Sequence, residues 1–261
     1  MGVLNLTPDS FFNGGRFNRE DAALNRVEEM VEEGADIIDV GGESTRPGAK
    51  KVTLEEEINR VIPVLRKLRK RFKIPLSIDT YKAKVAKEAL EVGADMVNDI
   101  SGLRFDSRMK QIISKYDVPV VIMHIKGTPQ NMQNNPEYRD LMNEIISYLK
   151  ESIKIAEEEG IDPQKIIIDP GIGFGKTTEH NLEIIKRIPE LKSLDKPILI
   201  GVSRKSFIGN VLGLPPSERL EGSLAATSIA VFQGVNIVRT HDVKATRRVV
   251  DLVKAIMENS L

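Results

Sequence analysis

The strongest constraint on the fold is a unit that recurs along the chain: a short apolar run, a cluster of polar residues and then a helical pattern. In a (β/α)8 barrel, short parallel strands alternate with helices, and the active site is built at the carboxyl ends of the strands. The repeated unit therefore predicts this α/β fold and also where its chemistry lies. The eight apolar runs occupy residues 1–4, 36–40, 76–78, 95–97, 118–123, 166–168, 198–202 and 235–238.

Length and periodicity agree with one barrel. The chain has 261 residues, close to the ~250 that are typical of a single barrel. We predict one domain over residues 1–261, although length alone also allows two smaller domains. Between the second and third runs, residues 54–72 carry an amphipathic helical pattern with Val61, Leu65 and Leu68 on one face. The rival fold is an open doubly wound sheet, which usually has fewer strands and a single phosphate loop.

Charge and cysteine content exclude several classes of protein. Lys and Arg number 38, and so do Asp and Glu, so the net charge is +0. This balance argues against a surface built for nucleic acid or an anionic membrane. There are no cysteines, which excludes disulfides and thiolate chemistry. No signal-peptide pattern precedes the first run, and no run approaches the ~18 residues of a membrane span. We therefore expect a cytoplasmic protein.

Three acid or amide residues end three different strand-like runs: Asp79, Asn98 and Asp169. A single aspartate in such a place is often only a helix N-cap, but three of them would converge at one mouth of a barrel. They could bind a divalent metal ion. They could equally bind a flat heterocycle rich in N–H donors, because a carboxylate accepts a pair of donors. The residues alone leave both possibilities open.

Cations follow the last two runs. Arg204 and Lys205 come after the seventh run, and Arg239 and His241 end the eighth. Phosphate sites in this fold often use the loops after strands seven and eight, so we predict an anion site here. The glycine-rich segment 169–176 resembles a phosphate loop at first sight, but it lacks the spacing that such a loop requires.

Two loops carry further polar residues. The segment after the first run, which begins at Asn5, is far longer than the ~2–6 residues usual for such connections, and we interpret it as a mobile active-site loop. The loop after the second run offers the hydroxyl of Thr45 and the guanidinium of Arg46, which suit an anionic substrate.

Taken in order, these segments resemble the dihydropteroate synthase family, the pterin-binding barrel enzymes of folate biosynthesis, over the whole chain. The matching segments are residues 1–11, 39–48, 77–80, 98–102, 123–124, 127–129, 169–176, 203–206 and 239–242. The resemblance implies a transferase that condenses a dihydropterin carrying a CH2-pyrophosphate with p-aminobenzoate, giving dihydropteroate and pyrophosphate. It also implies Mg²⁺ as the cofactor, small-molecule substrates, a homodimer and a sulfonamide target.

The same resemblance implies a role for particular residues. Those implied for the pterin ring are Asp79, Asn98, Met123, Asp169 and Lys205. Those implied for the pyrophosphate are Arg239, His241 and Asn5, with Asn5 also binding Mg²⁺. Those implied for p-aminobenzoate are Phe11, Thr45, Pro47, Phe174 and Ser206. The catalytic residues would be Asp9, Arg46 and Lys205.

Two other functions are the rivals of the one that the resemblance implies. A methyltransferase acting on a methylated tetrahydrofolate uses the same barrel, but it needs no pyrophosphate clamp. A non-catalytic pterin-binding paralogue should lose its loop residues first, yet Asp9, Thr45 and Arg46 are present.

Family members usually carry residues before the first strand, whereas here the first run begins at Met1. We therefore expect a short or missing N-terminal closure of the barrel bottom.

Overall fold

The structure, a computed structural model, describes residues 1–7 and 16–258, with side chains from residue 20 onward in the second stretch. Strands and helices alternate over these residues. The strands are β1 Gly2–Asn5, β2 Ile38–Gly41, β3 Leu76–Asp79, β4 Met96–Asp99, β5 Val120–Met123, β6 Ile166–Asp169, β7 Leu199–Ile200 and β8 Ile237–Val238. The helices are α1 Arg16–Glu32, α2 Leu54–Arg71, α3 Ala83–Glu91, α4 Met109–Tyr116, α5 Leu141–Glu158, α6 Thr178–Lys186, α7 Ser206–Leu212, α8 Leu220–Phe232 and α9 Val243–Glu258.

The strands form a closed ring of parallel neighbours. β1 to β6 form one sheet in chain order, and β7 pairs with β8. Two parallel bridges join these sheets, from Ile168 to Ile198 and from Gly2 to Thr240. At the second joint, the backbone N–H of Thr240 donates to the carbonyl of Met1 at 3.0 Å. The predicted (β/α)8 barrel is confirmed, and the open doubly wound sheet is wrong because both edges of the larger sheet are paired.

Alternation along each strand separates two apolar layers, because successive side chains point to opposite faces of a sheet. The outward residues, such as Val40, Ile78 and Ile122, join the large core between the strands and the helices. A smaller cluster fills the lower interior of the barrel and consists of Met1, Met96, Val121 and Leu199, with Ile37, Ile167 and Ile237 packed against it. The short or missing closure below this layer stays a prediction.

Helix α2 shows how local sequence sets the helical boundaries. The Thr53 side chain accepts a hydrogen bond from the backbone N–H of Glu56 at 3.2 Å, which caps the start of the helix. Acidic residues occupy its first turn and basic residues its last turn, and charges in this arrangement interact favourably with the helix dipole. The predicted apolar face is confirmed, since Val61, Leu65 and Leu68 are fully buried. No helix in residues 1–7 and 16–258 is long and apolar enough to cross a membrane.

Candidate active site

A cavity opens at the carboxyl ends of the barrel strands. It gathers nine of the residues that the sequence predicts for a site, and they come from strand ends and from the loops that follow them. These nine are Thr45, Asp79, Asn98, Met123, Asp169, Phe174, Lys205, Arg239 and His241. The remaining lining residues are Val3, Ile100, Gly201 and Ser203.

The other predicted site residues lie around or beyond this cavity. Asn5 ends β1 and is in register with Gly41, which is in turn in register with Asp79. Arg46 and Pro47 are exposed in the loop after β2, and Ser206 is the exposed first residue of α7. Two further predicted residues, Asp9 and Phe11, lie outside the described residues.

The guanidinium of Arg239 is held by two carboxylates at the floor of the cavity. Its Nε donates to Oδ2 of Asp39 at 2.6 Å, and its Nη2 donates to Oδ2 of Asp79 at 2.7 Å. Asp39 and Asp79 are separated from Arg239 by 200 and 160 residues of chain, so closure of the ring is what brings the three together. These two bonds use two of the five N–H donors of the guanidinium, so a ligand can bind Arg239 without displacing the carboxylates.

Asp39 is the site residue that the sequence analysis missed. It is fully buried inside the barrel, where its Oδ2 also accepts a hydrogen bond from Nδ2 of Asn98 at 3.0 Å. Its Oδ1 is buried and has no hydrogen-bond partner among residues 1–7 and 16–258. Because the amide nitrogen of Asn98 faces Asp39, the amide oxygen is the edge left for a ligand in the cavity. A charged residue inside an apolar strand run was the available signal, since aspartate is almost never fully buried unless it is paired.

Burial shifts the pKa values of Asp79, Asp169 and Lys205 in the direction that favours the neutral form of each group. It raises the pKa of Asp79 to about 7, against the opposing effect of Arg239. It also raises the pKa of Asp169, with Lys205 as the main opposing charge. Burial lowers the pKa of Lys205 to about 8, and Asp169 opposes that shift. Such perturbed groups in one cleft are typical of a binding or catalytic site.

His241 is held as a neutral ring beside Ser203. Burial, followed by the nearby charge of Arg239, lowers the pKa of His241 to about 4. Its backbone N–H donates to Oγ of Ser203 at 3.2 Å, and its Nδ1 lies 3.1 Å from the same oxygen. At neutral pH, His241 therefore offers a hydrogen bond and not a positive charge.

The loop after β6 is supported from below by a buried lysine and histidine. Nζ of Lys176 lies 2.9 Å from Nδ1 of His124 and donates to the carbonyl of Phe174 at 3.0 Å. Gly171 in this loop has φ +71, and a Cβ there would lie 1.9 Å from the carbonyl oxygen of His124. Burial and then the charge of Lys176 lower the pKa of His124 to about 2. These residues fix the backbone that presents Asp169 and Phe174 to the cavity.

Of the two predicted cations after β7, only Lys205 faces the cavity. Its Nζ donates to the carbonyl of Ile172 and lies 4.7 Å from the centre of the Phe174 ring. Arg204 instead has φ +55, and its guanidinium forms two hydrogen bonds of 2.8 Å with Asp242. Its Nη1 donates to two further backbone carbonyls. Arg204 does not line the cavity, and four of its five N–H donors bind protein groups, so its part in anion binding stays a prediction.

The carboxylates of the predicted metal or heterocycle site already have protein partners. Within residues 1–7 and 16–258, no group of three or more His, Cys, Asp or Glu side chains could hold a metal ion. Asp79 faces Arg239, and Oδ1 of Asp169 accepts the backbone N–H of Gly171 at 2.7 Å. Mg²⁺ bound to phosphates needs only one or two protein oxygens. The amide of Asn5, which alternates to the same side of β1 as the cavity-lining Val3, suits that smaller role.

Comparisons with known proteins agree with this geometry. The family model described as "pterin binding enzyme" matches residues 1–241. A dihydropteroate synthase from Clostridium beijerinckii is 49% identical over 98% of this chain and 93% of its own. The crystal structure of the dihydropteroate synthase from Clostridium difficile in the presence of pteroic acid is 50% identical, with a TM-score of 0.93 over 98% of this chain and 95% of its own. That of Xanthomonas albilineans with 4-aminobenzoic acid is 42% identical, with a TM-score of 0.92 over 98% and 92%.

Proposed function

The chain belongs to the family of pterin-binding enzymes, and from this premise we propose that it acts as a dihydropteroate synthase. It condenses 6-hydroxymethyl-7,8-dihydropterin pyrophosphate with p-aminobenzoate, and it releases pyrophosphate. The observation that carries the proposal is a cavity in which acid and amide acceptors meet two cations. The whole chain, residues 1–261, acts as one pterin-binding domain. Its cytoplasmic location stays a prediction.

The strand-end acceptors bind the pterin ring. The amino-pyrimidine edge of a pterin presents a row of N–H donors, which a carboxylate accepts in pairs. Asp169 faces this edge, while Asp79 and the amide oxygen of Asn98 accept from the rest of the ring system. Met123 packs against the ring, since it belongs to a small apolar cluster at this end of the barrel, and Lys205 donates to the ring.

The pyrophosphate binds on the side of Arg239. Arg239 and His241 hold its oxygens, and Asn5 would hold a Mg²⁺ ion. Bound Mg²⁺ supplies charge stabilisation for the departing pyrophosphate. The bond between the pterin methylene and the pyrophosphate oxygen breaks first and leaves a cationic methylene. Buried carboxylates such as Asp79 stabilise that developing positive charge.

The second substrate binds under the loops. Thr45, Pro47 and Phe11 close over p-aminobenzoate, with Phe174 and Ser206 on its other side. Its aromatic amine is neutral at pH 7, so its nitrogen attacks the cationic methylene without a strong base, and its proton then passes to the departing pyrophosphate. Asp9 and Arg46 complete the loops that exclude water, which would otherwise trap the cation.

The proposal includes a homodimer. Three neighbouring helices expose apolar side chains to solvent: Val211 and Leu212 on α7, Ile229 and Phe232 on α8, and Leu252, Ile256 and Met257 on α9. Exposed apolar side chains on helices that contact one another support an interface between subunits here. Light scattering after gel filtration should give the mass of a dimer for the wild type and of a monomer for Phe232→Glu. Leu182→Glu, an exposed apolar position on α6, is the control and should remain dimeric.

The decisive test of the function is an assay of pyrophosphate release with purified protein. Release should require both the pterin pyrophosphate and p-aminobenzoate, and it should stop when Mg²⁺ is chelated. Release without p-aminobenzoate would indicate simple hydrolysis. No release with both substrates present would contradict the proposal and leave a non-catalytic pterin-binding role.

A further inference from the structure

The loop between β2 and α2, residues 42–53, is held at both of its ends by the ammonium group of Lys82. Nζ of Lys82 donates to Oε2 of Glu43 at 2.5 Å, to the carbonyl of Val52 at 2.7 Å and to Oε2 of Glu57 at 2.5 Å. Glu43 begins the loop, Val52 ends it, and Glu57 lies in the first turn of α2. An ammonium has three donors, so this loop clamp, made of Lys82, Glu43, Glu57 and the Val52 carbonyl, uses all of them.

Residues that follow β3 complete the clamp. Oη of Tyr81 donates to Oε1 of Glu43 at 2.8 Å, and Oγ1 of Thr80 donates to Oε1 of Glu57 at 2.7 Å. Each buried carboxylate therefore accepts hydrogen bonds at both oxygens. Thr80, Tyr81 and Lys82 directly follow Asp79, the last residue of β3, which lines the cavity. The clamp thus ties the loop to the strand that carries a pterin-binding residue.

The energetics of the clamp favour a role in geometry over a role in stability. The side chains of Glu57 and Glu43 are only 1% and 5% exposed. Removing charges from water costs about as much as their attraction returns, so such an ion pair adds little net stability compared with apolar residues. Burial raises the pKa of Glu57, and the hydrogen bond from Lys82 opposes this shift. What the clamp does supply is a single position for the ends of the loop.

The base of the loop is buried and its tip is exposed. Glu43 is buried, whereas Arg46, Pro47 and Gly48 are exposed. Thr45 lies two residues beyond Glu43 and is the residue of this loop that lines the cavity. The place where Thr45 meets the cavity therefore depends on where Glu43 is anchored.

We propose that Lys82 is a positioning residue for the second substrate. Lys82 anchors Glu43 and the Val52 carbonyl, and these anchors set where the loop presents Thr45. Lys82 therefore controls the affinity for p-aminobenzoate without touching either substrate. This inference rests on the proposed function, which assigns the loop to p-aminobenzoate. Lys82 supports the same reaction and takes no part in proton transfer.

The test compares Lys82→Met with the wild type and with Lys87→Met. Lys87 lies in α3, where it forms an exposed pair with Glu91, so its variant controls for the loss of a lysine. KM for each substrate and kcat are measured by pyrophosphate release, and pterin affinity is measured by calorimetry. Trypsin digestion followed by mass spectrometry reports cutting after Lys50 and Lys51, which are exposed within the loop.

Lys82→Met should raise KM for p-aminobenzoate by about tenfold, the equivalent of one lost hydrogen bond of ~1.4 kcal/mol. Pterin affinity should stay within about twofold of the wild type, since no pterin contact changes. Cutting after Lys50 and Lys51 should become faster, and Lys87→Met should match the wild type in every measurement. If Lys82→Met does not fold, Tyr81→Phe, which removes only one hydrogen bond to Glu43, should show the same directions with a smaller change.

Equal losses for both substrates, or an unchanged KM for p-aminobenzoate, would overturn the inference. If the wild-type protein itself releases no pyrophosphate, the proposed function fails and the substrate part of this inference fails with it. The rate of tryptic cutting still decides independently whether Lys82 holds the loop.

Discussion

The two halves of the cavity mouth differ in how their side chains are held. In the strand-end half, Asp39, Asp79 and Arg239 are buried and joined by ion pairs. In the loop half, Thr45 is half-buried, and Arg46 and Pro47 are exposed. The first half is therefore fixed by contacts within the protein, whereas the second depends on where a loop lies. This difference favours an order of binding in which the pterin pyrophosphate enters first and p-aminobenzoate second.

The physical basis of the contrast is the backbone. Each strand end is fixed by parallel neighbours on both sides, as Asp79 is by Gly41 and Asn98. The loop after β2 is fixed at its base by the Lys82 clamp, and its middle has one backbone hydrogen bond to another loop, from the N–H of Gly48 to the carbonyl of Pro129 at 3.0 Å. Substitutions in the strand-end half should therefore affect the first substrate more than substitutions in the loop half.

The largest effect on affinity for the pterin pyrophosphate is expected from Arg239→Ala. The change removes the assigned pyrophosphate contact and leaves Asp39 and Asp79 buried without their shared cation. Two lost charge-assisted hydrogen bonds at ~1.5 kcal/mol each correspond to roughly 100-fold weaker binding. A pterin without phosphates should lose much less, which calorimetry with both ligands would measure. Arg247→Ala, in an exposed ion pair, is the control, and equal losses for both ligands would place Arg239 elsewhere.

Asp169→Asn should follow, with pterin binding crippled and the fold intact. An amide offers one acceptor where the pterin edge requires two, so the loss should be about 1.5–3 kcal/mol. Calorimetry measures the affinity, and a thermal melt monitored by circular dichroism checks the fold. A variant that binds pterin as tightly as the wild type would contradict the assignment.

Asp39→Asn should have a smaller effect, because Asp39 acts through Arg239 and Asn98 and not by contact with a ligand. Loss of the charge weakens its hold on both side chains and should cost about 1–1.5 kcal/mol of affinity for the pterin pyrophosphate. Asp36→Asn, an exposed position just before the same strand, should change nothing measurable. The double variant with Arg239→Ala should lose less affinity than the sum of the two single losses, since both residues act on one network. Full additivity would indicate that Asp39 does not work through Arg239.

The smallest effect on the first substrate is expected from Thr45→Ala in the loop half. Pterin affinity should stay within about twofold of the wild type, as for a site without shared partners. Binding of p-aminobenzoate should weaken, and in both proteins it should be measurable only after the pterin pyrophosphate, or pyrophosphate with Mg²⁺, is present. Tight binding of p-aminobenzoate to the ligand-free protein would show that the loop half is also formed in advance.

The sequence by itself determined the order of strands and helices and the end of the barrel at which the polar residues lie. Apolar periodicity is a local property, so the runs that end at Asp79, Asn98 and Asp169 were sufficient to predict both the barrel and its mouth. Motifs at the strand ends were sufficient to identify the family, and they indicated most residues of the cavity.

Only the tertiary structure decided which charges face each other. Arg204 and Lys205 are adjacent in the chain, yet the positive φ of Arg204 turns it toward Asp242 while Lys205 faces the cavity. Asp39, which the motifs left without a role, gains one only because ring closure brings Arg239 to it. Ion pairs depend on distances between strands that are far apart in the chain. The sequence pattern reports the burial of each residue but not the partner that it meets there.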